Sequence, residues 1–213
     1  MAEDWFRSRD WRPDEFERRL ARARPSNRPQ YLRIQALTLL ESGRADDRRA
    51  AIELLERLMS LPDPELEANT APEHLGTAYA ADGDFERAAN LFAEATRRQT
   101  ERPNVLGLAP FRLADLVLRE RLAARYQSTL DLLVRDDFPW GGMNWHRFER
   151  AKSIAFLSHR LRYFDQARAA ASEALRLATS ETRPEFPRHP TVGLVETDVG
   201  TLQELKQVAS PRT

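Results

Sequence analysis

The residue types that carry out chemistry are present in this chain, but their spacing does not bring them together. The four histidines, His74, His146, His159 and His189, show no metal-ligand pairing at helical spacing, and His146 has one acidic neighbour on its expected helix, Glu149. That pair supplies two ligands on one helix, where zinc takes about three or four. The doublets Asp46-Asp47 and Asp136-Asp137 fall at expected helix ends. There the unpaired amides and the helix dipole explain a carboxylate without general acid-base work. No serine stands in a nucleophile-elbow pattern, no glycine-rich loop could cradle a phosphate, and there is no cysteine to bind zinc or form a disulfide. These patterns predict a non-catalytic protein with no metal and no cofactor, whose work is binding.

Composition narrows the partner. A chain of 213 residues that is 41% hydrophobic can bury a substantial core. Lys+Arg and Asp+Glu number 33 each, so no overall field draws the chain to nucleic acid or an anionic membrane, and recognition must be local. The opening MAEDWFRSRDW is charged where a signal peptide would be apolar, and no stretch approaches the ~18 apolar residues of a membrane span. The absence of cysteine suits a reducing compartment. The expectation is a soluble, cytoplasmic protein. Arginine outnumbers lysine 31 to 2, as GC-rich coding favours, which suggests a bacterial source.

The elements that must position any site are helical. In Glu73 to Pro103, the residues Leu75, Gly76 and Tyr79 precede Asp82-Gly83-Asp84, and Phe85, Ala88, Phe92 and Ala95 follow at steps of three and four. Gly83 suits the positive φ that ends a helix, and Asp84 can cap the next. Gly76 and Ala88 let two backbones approach closely while Tyr79, Phe85 and Phe92 fill the remaining space. The set Leu75-Gly76-x2-Tyr79, Ala88-x3-Phe92 and Ala95 resembles the tetratricopeptide (TPR) repeat.

Three further hairpins fall into register with it. Residues 28–42 carry Ile34, Ala36, Leu37, Leu39 and Leu40, answered by Ala51, Leu54, Leu55 and Leu58. The turn after Gly43 is expected to be longer than the family's. Phe111, Leu113, Leu116 and Val117 are answered by Tyr126, Thr129, Leu130 and Leu133; Phe148, Ile154, Ala155 and Leu157 by Phe164, Ala167, Ala171, Ala174 and Leu175. The aromatics Phe85, Tyr126 and Phe164 recur at 41 and 38 residues, slightly above the family's repeat of about 34. Ser26 or Asn27 can cap the helix after Pro25, and Pro72 predicts a kink or restart near Ala71.

The expected architecture is all-α: a TPR-like right-handed α-solenoid of about four hairpins with capping helices at both ends. Residues 1–27 form an aromatic segment and capping helix, 28–180 the repeat domain, and 181–213 a proline-interrupted tail ending in a short helix with Leu202, Leu205 and Val208 on one face. Trp5, Phe6 and Trp11 either cover the exposed end of the stack or form an anchor for a partner. Asp136 to Trp145 is either a structural loop or a mobile lid in which Trp140 and Trp145 close over a ligand.

In TPR proteins the first helix of each pair lines a concave groove. The resemblance then implies a groove of Arg33 and Leu37, Glu73 and Thr77, Leu118 and Arg121, and Lys152, Phe156, His159 and Arg160. Its basic tips and apolar floor suit a peptide or protein segment with acidic side chains or a free carboxylate, unless the arginines only solvate a face. The family's lysine and asparagine set for a terminal carboxylate is missing apart from Lys152. The function expected is a protein- or peptide-binding adaptor. The alternative is a structural subunit that self-associates through its aromatic ends.

Overall fold

The computed structural model describes residues 4–62, 67–101, 107–179 and 194–210, with backbone alone for 67–69. The proline-interrupted stretch 181–190 lies outside the described residues, as does Pro64, where the sequence leads one to expect the start of the helix that carries Leu75. Among those described, the chain is all-helical and has no strand. It divides into two compact units, residues 1–109 and 110–213, so the division falls within the expected repeat span.

The first unit contains α1 (Pro13–Arg22), α2 (Arg28–Leu40), α3 (Ala45–Met59), α4 (Glu67–Asp82) and α5 (Phe85–Glu101). Each helix from α2 onward packs on the next, and α2 also reaches α4, so the second hairpin stacks on the first. The turn between α4 and α5 forms as its residues dictate. Gly83 takes φ 86°. The Asp84 and Gly83 amides donate to the carbonyls of Tyr79 and Ala80 at 3.0 and 3.3 Å, the paired bonds of a Schellman stop. Asp84 Oδ1 then accepts from the Arg87 amide at 3.1 Å and caps α5. Gly76 faces α5 so closely that an added Cβ would stand 2.9 Å from the buried Phe92 ring and 3.3 Å from the Ala88 carbonyl oxygen.

Two local expectations fail in this unit, and a third in part. Helix α4 runs through Pro72 without a restart, since Ala71, Pro72 and Leu75 are buried together and their packing outweighs one missing backbone bond. The turn after Gly43 is not long: Arg44 alone separates it from α3, as Asp84 alone separates Gly83 from α5. Asp47, not Ala51, takes the place of Ala88, and the buried positions then run in step, Ala51 with Phe92, Leu54 with Ala95 and Leu58 with Gln99. Asp47 tolerates burial because Arg44 Nε donates to its Oδ2 at 2.7 Å. The Arg44 and Ser42 hydrogen bonds hold its carboxyl below the ordinary range. Asn27 makes no capping bond to α2; its amide meets the Tyr31 hydroxyl instead.

The N-terminal aromatics pack on their own chain. Phe6 stacks on Tyr31 at 4.4 Å, and Trp5 and Trp11 each lie 5.3 Å from Phe16 of α1. Gln35 of α2 is fully buried and acts as a substitute backbone for this segment: its Oε1 accepts from the Ser8 amide at 3.2 Å and its Nε2 donates to the Ser8 carbonyl at 2.7 Å.

The second unit contains α6 (Ala109–Arg119), α7 (Tyr126–Leu133), α8 (Asn144–Arg160), α9 (Phe164–Thr179) and α10 (Val199–Ala209). The expected inward faces of α6 and α7 are all buried: Phe111, Leu113, Leu116 and Val117 on one, Tyr126, Thr129, Leu130 and Leu133 on the other. Helix α8 packs on α7 and α9, and α10 packs on both α9 and α8. Leu205 of α10 is fully buried among Phe148, Ala155, Ala171 and Leu177. Asp198 caps α10 by accepting the Thr201 amide at 2.9 Å.

Candidate functional site

Helix α8 must bury most of its circumference, and what remains is one stripe. Phe148, Ala151, Ala155 and Leu157 face the core, whereas Glu149, Lys152, Phe156, His159 and Arg160 recur at steps of three, four, three and one on another side. Helices α6 and α10 bring their own stripes alongside. Phe111, Asp115, Leu118 and Arg119 come from α6, and Thr201, Glu204, Gln207 and Val208 from α10. The three enclose a groove of about 580 Å³.

The groove floor is apolar, built from Phe111, Leu118, Phe156 and Val208, and its rim is charged with both signs. Lys152 Nζ stands 2.7 Å from Glu149 Oε2 and lies over the Phe148 ring at 5.6 Å. Arg119 is held by Asp115 at 2.6 Å and Glu120 at 2.8 Å. Arg160 and Glu204 form no ion pair with a described residue, which leaves one cation and one anion available on opposite walls. Such a surface can bind an amphipathic segment. The Thr201 hydroxyl on its wall donates to Asp198 Oδ2 at 2.7 Å as part of the α10 cap, and among the described residues no three His, Asp or Glu side chains come together to hold a metal.

Five of the ten groove residues read from the sequence meet here: Leu118, Lys152, Phe156, His159 and Arg160. Lys152 is already neutralised by Glu149, so the basic character expected of this wall falls mainly to Arg160. Arg121 lies beyond the end of α6, in the turn, and is exposed. Arg33, Leu37, Glu73 and Thr77 belong to the first unit. Arg33, Leu37 and Thr77 are half-buried there on α2 and α4. Glu73 turns inward, 8% exposed, and its carboxylate accepts the Leu108 amide at 3.0 Å, so it is engaged by its own chain rather than presented to a ligand. The α10 wall was not anticipated, although Thr201, Glu204 and Val208 stand at steps of three and four along the flank of Leu205.

The aromatic loop is tied into the fold. Trp140 Nε1 donates to the Arg135 carbonyl at 2.7 Å, and its ring lies 4.4 Å from the buried Phe138. Arg150 covers the other side at 4.6 Å while its Nε donates to the Leu133 carbonyl at 2.7 Å, closing the end of α7. Burial pushes the Arg150 guanidinium below its usual value, with Asp136 acting in the opposite sense. Trp145 packs on His146 at 4.2 Å and on Phe111 at 5.9 Å, so it backs the groove floor. One glycine of the pair has a specific use: a Cβ at Gly141 would stand 2.3 Å from His146 Nδ1.

No helix of the described residues is long and apolar enough to cross a membrane. Compared with protein-family profiles, curated proteins and solved structures, the chain matches none.

Proposed function

We propose that this protein is a non-catalytic scaffold, built from TPR-like helical hairpins of the α-solenoid type, that binds a protein or peptide segment in the groove of residues 110–213. The observation that carries the reading is the groove itself, with an apolar floor and a charged rim supplied by one stripe from each of α6, α8 and α10. An acidic side chain of the ligand pairs with Arg160, and its apolar side chains lie on Phe111, Leu118 and Phe156. The stacking of α2, α3, α4 and α5, with α2 touching both α3 and α4, supports the repeat reading on which the groove rests. A bacterial, cytoplasmic adaptor remains the setting suggested by the arginine-rich, cysteine-free composition.

Co-purification from the native host with the wild type and with Arg160→Glu tests this directly. A partner retained by the wild type should bind the variant one to two orders of magnitude more weakly, about 1.4 to 2.8 kcal/mol. That loss should shrink as salt rises. If the same proteins are retained equally by both, the groove is not the recognition surface. The alternative, self-association through Trp5 and Trp11, is less favoured because both rings lie against Phe16 of the same chain. A discrete oligomer in light scattering that breaks up on Trp5→Ala would reverse that preference.

A further inference from the structure

The first helix of every hairpin ends in a residue of left-handed conformation. In residues 1–109 that residue is glycine, Gly43 and Gly83; in residues 110–213 it is arginine, Arg121 at φ 56° and Arg162 at φ 65°. The backbone task is the same at both arginines. Leu122 and Arg121 donate to the carbonyls of Val117 and Leu118 at 3.0 and 3.4 Å, and Tyr163 and Arg162 donate to those of Ser158 and His159 at 2.8 and 3.2 Å. Any side chain is strained at positive φ and glycine is not, so the turn gives no reason for an arginine. Compensation of the helix dipole gives none either, because Arg119 and Arg160 already stand in the last turns of α6 and α8.

What an arginine adds at these positions is a projecting charge. Both side chains are exposed, and neither forms an ion pair with a described residue. The nearby acids are engaged elsewhere, Glu120 by Arg119 at 2.8 Å and Asp165 by Arg168. The two turns are neighbours: Tyr163 Oη donates to Gln127 Oε1 at 2.8 Å, joining the second turn to the start of α7. Arg119 and Arg160, two residues before Arg121 and Arg162, both line the groove, so each turn follows directly from a groove wall.

We propose that the Arg121–Arg162 edge is an additional docking surface for a carboxylate-rich protein segment that continues from the groove, a placement that rests on the groove reading above. Guanidinium forks match carboxylates bidentately. The net charge of zero leaves no long-range field of the kind that drives binding to a phosphate backbone, which favours an acidic protein segment over a nucleic acid.

The test uses the full chain and a fluorescent oligo-glutamate peptide of about ten residues at low salt, where exposed charges are least screened. A single-stranded oligonucleotide of equal charge serves as the comparison. The paired substitution at Arg121 and Arg162 leaves Arg160 and the apolar floor in place, so the loss it causes reads the turn edge and is separate from the Arg160→Glu host-partner experiment that tests the groove. Replacing both arginines, R121G with R162G, should weaken peptide binding at least fivefold while the thermal midpoint holds or rises by about 2 °C. R121K with R162K, which keeps the charge without the fork, should bind between the wild type and the glycine variant. The proposal is overturned if the wild type does not bind the peptide, if the glycine variant binds it equally, or if the oligonucleotide binds more tightly than the peptide. A fall in the midpoint of the glycine variant would also overturn it, by showing that the arginines serve the fold.

Discussion

Replacing Gly76 tests the closest helix contact in the first unit. A Cβ there stands 2.9 Å from both Cδ1 and Cε1 of Phe92 and 3.3 Å from the Ala88 carbonyl oxygen, so the obstacle is a ring that is 3% exposed and a helix backbone behind it. Gly76→Ala gains about 1 kcal/mol of helix propensity. It loses about 1 to 3 kcal/mol to overpacking, for a net destabilisation of about 1 kcal/mol. Gly76→Leu places three more carbons at the same crossing and should cost about 3 kcal/mol. Gly142→Ala is the control, because its Cβ would meet nothing within 4 Å. That substitution should stay within about 0.5 kcal/mol of the wild type. Urea unfolding followed by the helical circular dichroism signal gives the midpoints, and amide exchange shows whether the loss is confined to α4 and α5. Phe92→Leu should relieve Gly76→Ala, with a coupling of about 1 kcal/mol in a double-mutant cycle. If Gly76→Leu unfolds at the wild-type midpoint, or the cycle is additive, the close crossing is wrong.

Two further outcomes follow from the polar groups of the same unit. Gln35→Ala removes both partners of Ser8 and should cost about 1 to 3 kcal/mol, with the Ser8 amide losing its exchange protection and the Trp5 environment changing in fluorescence. Asp47 has a carboxyl held below its ordinary value, so its stabilising effect is complete above the unfolded pKa near 4 and fades as pH falls through the lower native value. The midpoint difference between wild type and Asp47→Asn should therefore be constant above about pH 5 and shrink below about pH 4. A difference that grows on acidification contradicts the Arg44–Asp47 bond.

The parts of this fold that could be read from the sequence are those where one residue type has one conformational use. Gly83 followed by Asp84 announced a stop and a cap, and the inward faces of α6 and α7 announced themselves by spacing. Arg121 and Arg162 make the same kind of stop, but arginine has no preference for positive φ, so the sequence offered no sign of it. Asp47 stands at the helix end expected of it, in the first turn of α3, but its burial, like that of Glu73, was not legible for a related reason. A carboxylate is expected outside, and only a partner brought by the fold, Arg44 or the Leu108 amide, lets it sit inside. In the groove, α8 was legible because its core-facing and groove-facing stripes are both well marked. The α10 stripe read as a simple end cap because nothing local says that a terminal helix also borders a cavity.

The position of α10 makes groove formation conditional. A wall that belongs to the last helix is present only while that helix is docked, and among its own residues Leu205 is the one deeply buried anchor. Under the proposed function, the affinity for a bound segment would then be the intrinsic affinity reduced by the fraction of molecules with α10 in place. By linkage, a ligand that touches Thr201, Glu204, Gln207 or Val208 raises that fraction and slows amide exchange along α10. Changes that weaken the docking of this helix, Leu205→Ala or loss of the Asp198 cap, would act as remote affinity mutations although neither residue touches the ligand.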